Sequence, residues 1–503
     1  MVGETPLQYA SGLSQRLNAK VHLKREDLLP SFTFKIRGAY NQLAHMPPGT
    51  KVVTYSVGSQ GMSVACAAAA LGIEATIVMP ERTPIKRRDA IARAGAQVVI
   101  HGRSLKDTMA EAIRLSEGTP EMSFLQPHDD AHVIAGHATA GLELVKQAGA
   151  ALEGSNAEHL DAVYVVAGGS SLLAGVAAVM KAIMPSTKVI GVEPETADLL
   201  HRSLLTGHCL TAPEPAHFVD GAAVTQLGPE VFRLCNELVD DVVTVSNDEI
   251  CAAVRDCFED TRAMLEPAGA IAVAGLKKHL DAMPVGPGGS KGNYVVFSSD
   301  ASNIEFDVLR FIAERAAIGE QKEKLFALRM PDRAGMFKDM YNAVQPRRVT
   351  EFTFRHSPAH EDALVYMAIE RADSETHDYD VASVVESLES LGVRTLDITG
   401  DEMAKTHSRY LGGGRPGDMP GEKVIRFEFP ETPGALANFL NSLEEDWFLT
   451  MLHYRNHGGQ VGKVLAGVRV PLGQEERFQT VIDSLGYTYA DETENPVFTE
   501  FMR

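Results

Sequence analysis

The sequence predicts an α/β protein whose first half holds mostly parallel sheets and whose second half is a smaller α+β region. Short β-branched strands alternate with helices from residue 20 to residue 192, and this alternation is typical of a parallel sheet covered on both faces. After Gly319 the pattern changes, because the strand–turn–helix stretch Leu325–Phe337 recurs at Ile425–Leu436. The chain of 503 residues is also too long for one core, so we expect two or three domains.

The strands and helices of the first half follow one another in a regular order. An entry segment at residues 5–30 ends in the strand Val21–Lys24 and a polar turn. The later strands are predicted at Lys51–Tyr55, Ala75–Met79, Gln97–Ile100, Ala162–Ala167, Lys188–Val192 and Tyr294–Ser298. The helices are predicted at Phe34–His45, Ala65–Leu71, Ile85–Ala94, Ser104–Ser116, Ile134–Gln147, Ser171–Ile183 and Phe306–Ala317. A proline- and glycine-rich loop, Met283–Ser290, precedes the last strand.

Composition excludes several classes of partner. The chain has 47 Lys and Arg against 67 Asp and Glu, a net charge of −20, which argues against binding to nucleic acid or to an anionic membrane. No apolar run approaches the roughly 20 residues of a membrane-spanning helix. No leader precedes Thr5, so we expect a cytoplasmic protein. The five cysteines form no Cys-x-x-Cys pair, so we expect small buried thiols without disulfides or a bound metal. The only tryptophan, Trp447, is expected in a core.

The second half is an internal repeat of two βαβ-type units. Beyond the shared strand and turn, Phe354–His356 is echoed by Tyr454–Asn456. The glycine-rich segment Leu411–Asp418 links the two units. The duplicated turns at Pro331–Asp332 and Pro430–Glu431 have backbone groups that could hold an amino acid, which predicts effector binding at the interface of the repeats.

Lys35 is the first candidate for chemistry. It lies within Ser31–Tyr40, between hydroxyl-bearing residues and an Arg-Gly-Ala helix start. A lysine held by packed neighbours loses part of its preference for the charged form, and its neutral amine can form a Schiff base with a carbonyl. The alternative is an ordinary lysine in the first turn of a helix.

The second candidate is Ala167–Leu172, a Gly-Gly-Ser-Ser run between a strand and a helix. Glycines let backbone amides approach a phosphate, and the helix N-terminus adds positive potential. The run lacks the spacing of the G-x-G-x-x-G and G-x-x-x-x-G-K-[ST] motifs. The alternative is a plain tight turn.

Two more loops follow strands. Ser56–Gly61 could hold a carboxylate with its backbone amides and hydroxyls. Ser298–Asn303 follows the late strand, and within it Asp300 could pair with a protonated ring nitrogen. The alternative role for Asp300 is to cap the helix that follows.

These four stretches, in this order, resemble the biosynthetic threonine deaminases, or threonine ammonia-lyases, of the fold type II pyridoxal-phosphate-dependent family. Matching stretches in the first half are Lys24–Asp27, Phe34–Tyr40, Ile77–Pro80, Val133–Gly136, Phe232–Cys235 and Glu266–Ala270. Matching stretches in the second half are Asp401–Lys405, Gly413–Pro416, Phe427–Glu431 and Asp491–Thr493. The resemblance implies a two-lobed catalytic domain at 1–318, with a small lobe inserted at about 38–137, and ACT-like regulatory units at 319–411 and 412–503.

The resemblance also implies the roles of the site residues. Lys35 would hold pyridoxal 5'-phosphate through a Schiff base and then remove the Cα proton of the amino-acid substrate. Asp300 would face the ring nitrogen, or Ser299 would if the alignment slips by one residue. The residues that would hold the cofactor phosphate are Gly168, Gly169, Ser170, Ser171 and Leu172. The residues that would hold the substrate are Ser56, Gly58, Ser59, Gln60 and His137, with Ser59 also beside the ring hydroxyl. The β-hydroxyl would leave, and hydrolysis would give a 2-oxo acid and ammonia. Isoleucine or valine would be the effector, and the assembly a homotetramer or homodimer.

Four departures from the family pattern fall in these loops. The family's Ser-x-Gly-Asn-His is Ser56–Gln60 here, its four-glycine loop is Gly168–Ser171, and its Gly-Gln-Gly-Thr is Gly136–Thr139. Its Ser-Gly-Ala-Asn aligns with Asp300–Asn303, and a carboxylate there would favour a protonated ring. The leading prediction is therefore a threonine or serine ammonia-lyase. The alternatives are a divergent paralogue with another elimination, replacement or racemisation, and a cofactor-free sensor of amino acids.

Overall fold

The computed structural model forms two compact units, Met1–Ala316 and Ala317–Arg503. The residues that it describes are 2–152, 159–212, 217–222, 224–283, 292–331, 336–345, 347, 349–354, 362–370, 377–410, 420–430, 435–444, 446–455 and 461–502. The expected loop after Met283 and the segment Leu411–Asp418 lie outside these ranges.

The first unit contains two sheets. Its strands are β1 (Leu7–Tyr9), β2 (Lys20–Arg25), β3 (Lys51–Tyr55), β4 (Ala75–Met79), β5 (Gln97–Ile100), β6 (Met122–Phe124), β7 (Ala162–Val166), β8 (Lys188–Pro194), β9 (Asp241–Val245) and β10 (Asn293–Ser298). Its helices are α1 (Ser11–Leu17), α2 (Lys35–Ala44), α3 (Ser59–Leu71), α4 (Ile85–Arg93), α5 (Leu105–Glu117), α6 (Ala131–Leu152), α7 (Ser171–Ile183), α8 (Leu199–Thr206), α9 (Pro229–Leu238), α10 (Asn247–Thr261), α11 (Pro267–Asp281) and α12 (Val308–Gly319), the last ending in the second unit.

The larger sheet has the order β1-β2-β10-β7-β8-β9. Only β1 runs antiparallel to its neighbour, and the other pairs are parallel. Every residue of β7 and β10 is buried, as expected for strands covered by helices on both faces. The predicted mostly parallel sheet is confirmed.

The smaller sheet has the order β5-β4-β3-β6, and all its pairs are parallel. It packs around its own core of alanine, valine and isoleucine side chains. The predicted strands β3, β4 and β5 are confirmed with the expected bounds. Helix α3 begins at Ser59 rather than near Ala65, because six further residues continue its helical turns.

The sheet order brings the candidate loops together. Strands β2 and β7 lie on either side of β10 and run parallel to it. The carboxyl ends of all three strands therefore meet at one edge, where ligands bind in sheets of this kind. Helix α2 follows β2, the Gly-Gly-Ser-Ser run follows β7, and Asp300 follows β10.

The polar turn expected after β2 is a buried ion-pair network. Arg25 Nη2 lies 2.7 Å from Asp27 Oδ2, and Arg37 Nε donates to Glu26 Oε2 at 2.6 Å. Arg37 Nη1 also donates to Glu143 of α6 at 2.6 Å. Because breaking a buried pair leaves an uncompensated charge, this network fixes the first turn of α2 against β2 and α6.

The second unit contains two four-stranded antiparallel sheets. Its strands are β11 (Glu323–Pro331), β12 (Val349–Phe354), β13 (Asp362–Glu370), β14 (Arg394–Asp397), β15 (Glu422–Pro430), β16 (Phe448–Arg455), β17 (Val461–Arg469) and β18 (Thr488–Asp491). Its helices are α13 (Met336–Val344), α14 (His377–Glu389), α15 (Glu402–Thr406), α16 (Ala435–Ser442) and α17 (Glu475–Ser484).

The two sheets confirm the internal repeat. Their orders are β12-β13-β11-β14 and β16-β17-β15-β18, and each has a register shift at the same place, between Val349 and Glu351 and between Leu449 and Met451. Each βαβ unit is split, because a third strand separates the two parallel strands. The duplicated turns continue into 332–335 and 431–434, outside the described residues.

Two expectations about single residues have different outcomes. Trp447 is buried in the core of the second repeat, where its Nε1 donates to Gln474 Oε1 at 2.7 Å. The expectation that all five cysteines are buried is wrong for Cys209, which is exposed, and Cys66 is only partly buried. Cys209 follows the turn after α8, where the chain runs along the surface. Within the described residues, no helix is both long and apolar enough to cross a membrane.

Candidate active site

Lys35 lies at the centre of the site. It is the first residue of α2 and is only 6% exposed. Its Nζ donates to Ser59 Oγ at 2.9 Å and to Asp300 Oδ1 at 3.1 Å. The centroid of the Phe34 ring is 5.1 Å from the same nitrogen. An amine, a hydroxyl and a carboxylate thus meet in a place shielded from bulk water.

Backbone pairing fixes this meeting. Thr33 and Asp300 form an antiparallel bridge, and Ala301 N donates to Phe32 O at 2.8 Å. Phe32 has a φ of 56°, a conformation that costs a bulky residue on the order of 1–3 kcal/mol. This backbone strain lies three residues before Lys35. Strain of this kind is common where surrounding contacts hold a functional residue in place.

Asp300, rather than Ser299, faces Lys35. Ser299 Oγ donates to Ala268 O at 3.3 Å and so is directed at α11. Asp300 is 1% exposed. Its backbone lies against Gly269, where a Cβ atom would stand 1.9 Å from Asp300 O. Only glycine permits this approach, so α11 sets the position of the carboxylate.

Glu266 is a second carboxyl group in the same place. Its Oε2 accepts from Asn303 N at 2.7 Å, and its Oε1 has no hydrogen-bond partner within the described part of the chain. Burial, together with the charge of Asp300, raises the pKa of Glu266 to about 8, against the opposing effect of Lys35. Glu266 is therefore mostly protonated at neutral pH.

The loop after β3 is organised by Ser56. Its Oγ accepts from the amides of Gly58 at 2.9 Å and Gly61 at 2.8 Å. Those two amides are therefore directed at Ser56 rather than outward. The amides of Ser59 and Gln60, at the start of α3, have no acceptor within the helix. They are the donors that this loop has available for a carboxylate.

The loop after β7 is a cradle made by glycines. A Cβ atom at Gly168 would lie 2.7 Å from Cα of Ala222, and one at Gly169 would lie 2.5 Å from Nδ1 of His128. Both positions need glycine, because the Ala222 backbone lies against Gly168 and the His128 ring lies against Gly169.

Helix α7 begins directly after this cradle. Ser170 precedes it in a left-handed conformation, with φ 58°, and Ser170 Oγ donates to Gly168 O at 3.0 Å. No side chain caps the helix, so its first amides are free for an anion. Ser171 and Leu172 are buried in its first turn.

His137 lies behind α2. Its ring packs edge-on against Phe34, with centroids 4.9 Å apart, and a Cβ atom at Gly38 would lie 2.6 Å from its Nε2. Both ring nitrogens are buried without hydrogen-bond partners in the described residues. Burial, followed by the charges of His128, Lys35 and Arg37, lowers the pKa of His137 to about 3, so the ring is neutral. Its predicted contact with substrate stays a prediction.

Three residues of the site were missed by the sequence argument. Glu266 lies within one of the matching stretches, and no sequence pattern indicates His128 or Arg87. Arg87 donates to Asp220 Oδ2 at 2.8 Å and to Asn303 O at 3.1 Å, so it ties α4 to the loop that carries Asp300. No spacing rule could find these residues, because the fold brings them from separate elements. The described residues contain no group of three or more side chains that could ligate a metal ion.

Together the fold and the site define a class of protein. A buried lysine stands beside a carboxylate, and a glycine cradle at a helix N-terminus faces the same sheet edge. A model of the pyridoxal-phosphate-dependent enzyme family matches residues 1–299. A model of the C-terminal regulatory domain of threonine dehydratase matches residues 314–408 and 414–502. The chain is a pyridoxal-phosphate-dependent enzyme with a regulatory half.

Known relatives show which family within this class of enzyme the chain belongs to. The mitochondrial threonine dehydratase of Saccharomyces cerevisiae is 42% identical over all of this chain and 87% of that protein. The biosynthetic L-threonine dehydratase of Escherichia coli is 40% identical over 99% of this chain and 94% of its own length. The solved structure of threonine deaminase isoform 2 from Solanum lycopersicum has a TM-score of 0.58 and is 36% identical, covering 63% of this chain and 84% of that one. The chain belongs to the threonine dehydratase family.

The residues present fit the cofactor. Pyridoxal 5'-phosphate needs an amine for its aldehyde, donors for its phosphate and a partner for its ring nitrogen. The chain has a buried amine at Lys35, a cradle that side chains on Gly168 and Gly169 would fill, and the carboxylate of Asp300.

Proposed function

We propose that this chain is an ammonia-lyase that converts threonine, or serine, into a 2-oxo acid and ammonia. Its relatives are named threonine dehydratases, and they match this chain over nearly its whole length. The observation that carries the proposal is the position of Lys35, whose Nζ lies within hydrogen-bond distance of both Ser59 and Asp300.

Each loop has a distinct task in this proposal. Lys35 holds the cofactor and afterwards takes the Cα proton, for which its buried amine stands ready. The glycine cradle and the first amides of α7 bind the phosphate. Ser56 accepts hydrogen bonds from the amides of Gly58 and Gly61 and so fixes the shape of its loop. The amides of Ser59 and Gln60 in the same loop bind the substrate carboxylate. When bound, the cofactor supplies a sink for the electron pair of the Cα–H bond.

Asp300 is assigned to the ring nitrogen of the cofactor. An opposite charge within about 4–6 Å favours the protonated form of such a nitrogen, and a protonated ring accepts electrons more readily. Asp300 is buried and its backbone is fixed by Gly269. Ser299, the other candidate, donates to Ala268 instead.

Replacement of the central lysine tests this function. Lys35→Ala removes both the attachment point and the base, so turnover of threonine to 2-oxobutanoate should fall by at least about 10²–10⁴-fold. The visible absorbance of the bound cofactor should vanish as well. Lys51→Ala is the matched control, because that lysine pairs with Glu74 at the surface, and it should retain both signals. Full activity in Lys35→Ala would refute the assignment.

A divergent paralogue is the second candidate, and the carboxylate at Asp300 favours it. A deeper electron sink suits replacement or racemisation as well as elimination. The unaltered protein, loaded with cofactor, should produce 2-oxobutanoate from threonine. If the absorbance is present and no 2-oxobutanoate forms, the second candidate replaces the first.

The regulatory half carries a further proposal, that isoleucine or valine is the effector. The supporting observations are the matched regulatory domain and the duplicated fold of its two repeats. Titration calorimetry of the full chain with each amino acid should give saturable heats. Flat titrations with both would remove these two effectors and leave the catalytic proposal untouched.

Assembly and compartment are also proposals. We infer a homotetramer or homodimer, and sedimentation equilibrium of the full chain measures which. We infer a cytoplasmic location. Relatives named mitochondrial occur in two yeasts, so fractionation of cells that express the chain decides between the two compartments.

A further inference from the structure

One guanidinium lies where the loops of the site meet. It belongs to Arg87 in α4, whose side chain is only 13% exposed. Its Nη1 donates to Asp220 Oδ2 at 2.8 Å and to Val57 O at 3.4 Å. Its Nη2 donates to Asn303 O at 3.1 Å, and its Nε lies 3.3 Å from Glu305 Oε1. The guanidinium therefore contacts residues from three separate loops.

Each of these loops has a task in the proposed function. Val57 lies in the loop after β3, which is assigned to the substrate carboxylate. Asp220 lies two residues before Ala222, whose backbone borders the phosphate cradle. Asn303 lies three residues after Asp300, in the same loop after β10. Arg87 thus joins the substrate loop to the two loops that are assigned to the cofactor.

The loops that Arg87 joins belong to two different cores. Strand β3 lies in the smaller sheet, and Ile91 of α4 packs in the core of that sheet. Strand β10 and Val219 belong to the core of the larger sheet. The loops from the two sheets touch beside Arg87, because a Cβ atom at Gly58 would stand 2.2 Å from Asn303 Oδ1. The distance between substrate carboxylate and catalytic amine therefore depends on how the two cores are joined.

The charges around Arg87 suit this position. Burial disfavours the charged guanidinium, but the carboxyl groups of Asp220, Glu266 and Glu305 outweigh burial, so the pKa of Arg87 is raised above its ordinary value. Arginine presents its donors on a rigid planar fork, whereas lysine presents them at one point. A lysine here could pair with Asp220, but it could not donate to Asn303 O at the same time.

We propose that Arg87 is a positioning residue that holds the substrate loop in register with the catalytic lysine, an inference that rests on the proposed function. It acts through the backbone of Val57 and Asn303, not by contact with the reacting atoms. A displacement of about 1 Å between reacting groups can cost about 10²-fold in rate. Loss of the link between the two cores should therefore weaken the use of substrate while cofactor stays bound.

The test compares two ligands of the full chain loaded with cofactor. L-Alanine needs the substrate loop for its carboxylate and has no leaving group. Hydroxylamine attacks the same cofactor aldehyde and has no carboxylate. Both reactions change the visible absorbance. Arg87→Lys should raise the L-alanine concentration at the midpoint by about 10–10²-fold, as expected for the loss of a hydrogen bond from a charged group. It should lower kcat/KM for threonine to a similar extent, and the rate with hydroxylamine should not change.

A second variant and a control complete the test. Asp220→Asn removes one contact of the guanidinium and should raise the L-alanine midpoint by a smaller factor, because the bonds to Val57 O and Asn303 O remain. The matched control is Arg88→Lys on the next residue. Arg88 Nε donates to Thr83 O at 2.6 Å, in the loop before its own helix. This control should leave the midpoint and the hydroxylamine rate unchanged.

Two results would overturn the inference. Equal losses with L-alanine and hydroxylamine would mean that Arg87 only supports the cofactor site, and an unchanged L-alanine midpoint in Arg87→Lys would mean that it does not position the loop. If Arg87→Lys binds no cofactor, the same comparison in Asp220→Asn decides. Failure of the proposed function is distinguishable from these results, because the parent protein would then form no 2-oxobutanoate from threonine, whatever the variants do with L-alanine.

Discussion

At the residue scale, the site is set by two neighbouring carboxyl groups. Asp300 and Glu266 are both buried near Lys35, and burial with the Asp300 charge raises the pKa of Glu266 to about 8. Glu266 is then mostly protonated at neutral pH. The amine of Lys35 pairs with the Asp300 carboxylate at 3.1 Å.

Asp300→Ser tests the proposed contact with the ring nitrogen. Loss of a partner charge is equivalent to about 1–3 pKa units, so exchange of the Cα proton of L-alanine in D₂O should slow by roughly 10–10³-fold. Ser299→Ala is the matched control, since Ser299 Oγ bonds to Ala268 O, and its exchange rate should stay within about threefold of the parent rate. A silent Asp300→Ser would mean that Asp300 does not act on the ring nitrogen. The alternative role predicted for Asp300, capping the following helix, is wrong, because α12 begins only at Val308.

Glu266→Gln tests the raised pKa. The folded protein holds the Glu266 proton up to a pH of about 8, whereas the unfolded chain releases it near its ordinary value of 4.5. The folded state therefore binds more protons between these values, and the free energy of unfolding falls as pH rises, by at most about 1.4 kcal/mol per unit. The variant, measured by urea denaturation from pH 5 to pH 8, should lose this slope. An unchanged slope would contradict the assignment.

At the element scale, the site is built where β2, β10 and β7 end beside one another. Helix α7 starts there without a side-chain cap, which leaves its first amides without an acceptor in the helix. Helix α3 starts after β3 of the smaller sheet, and its Ser59 hydroxyl accepts from Lys35 Nζ. Helix α11 packs against this edge, because Gly269 lies against the backbone of Asp300. Small residues at such contacts determine how closely helix and strand approach.

Gly269→Ala tests this support. The added Cβ would stand 1.9 Å from a backbone oxygen, so we expect a loss of at least about 1–3 kcal/mol in the free energy of unfolding. Weaker binding of the cofactor should accompany it, measured by absorbance after dialysis. Gly149→Ala in α6 is the control, since its Cβ would meet nothing within 4 Å. It should stabilise the protein by about 0.5–1 kcal/mol. Equal behaviour of the two variants would refute the role of Gly269.

The elements differ in how well the sequence predicts them. Strands such as β4 and β7 carry their own β-branched pattern, and their bounds are confirmed within one residue. Helix α11 was not predicted, because it is buried almost all round and shows no polar face. Strand β6 has only three residues, too few for a periodic signal.

At the scale of the whole molecule, the sequence predicts the architecture better than the site. Patterns within short stretches of sequence predict the parallel sheet and the internal repeat. The resemblance to a known family then assigns the two to one architecture. The surroundings of Lys35 depend instead on long-range packing. Its partner Asp300 is distant along the chain, and His128 reaches Gly169 from a different loop. Such neighbours become visible only once the sheets have set the loops side by side.

The measurement that tests the central claim most directly is to locate the covalent bond between chain and cofactor. The loaded full-length protein is reduced with borohydride, digested and analysed by mass spectrometry. We predict a pyridoxyl phosphate group on Lys35 and on no other lysine, because Lys35 is the buried amine between Ser59 and Asp300. A label on a different lysine, or no label despite bound cofactor, would contradict the account.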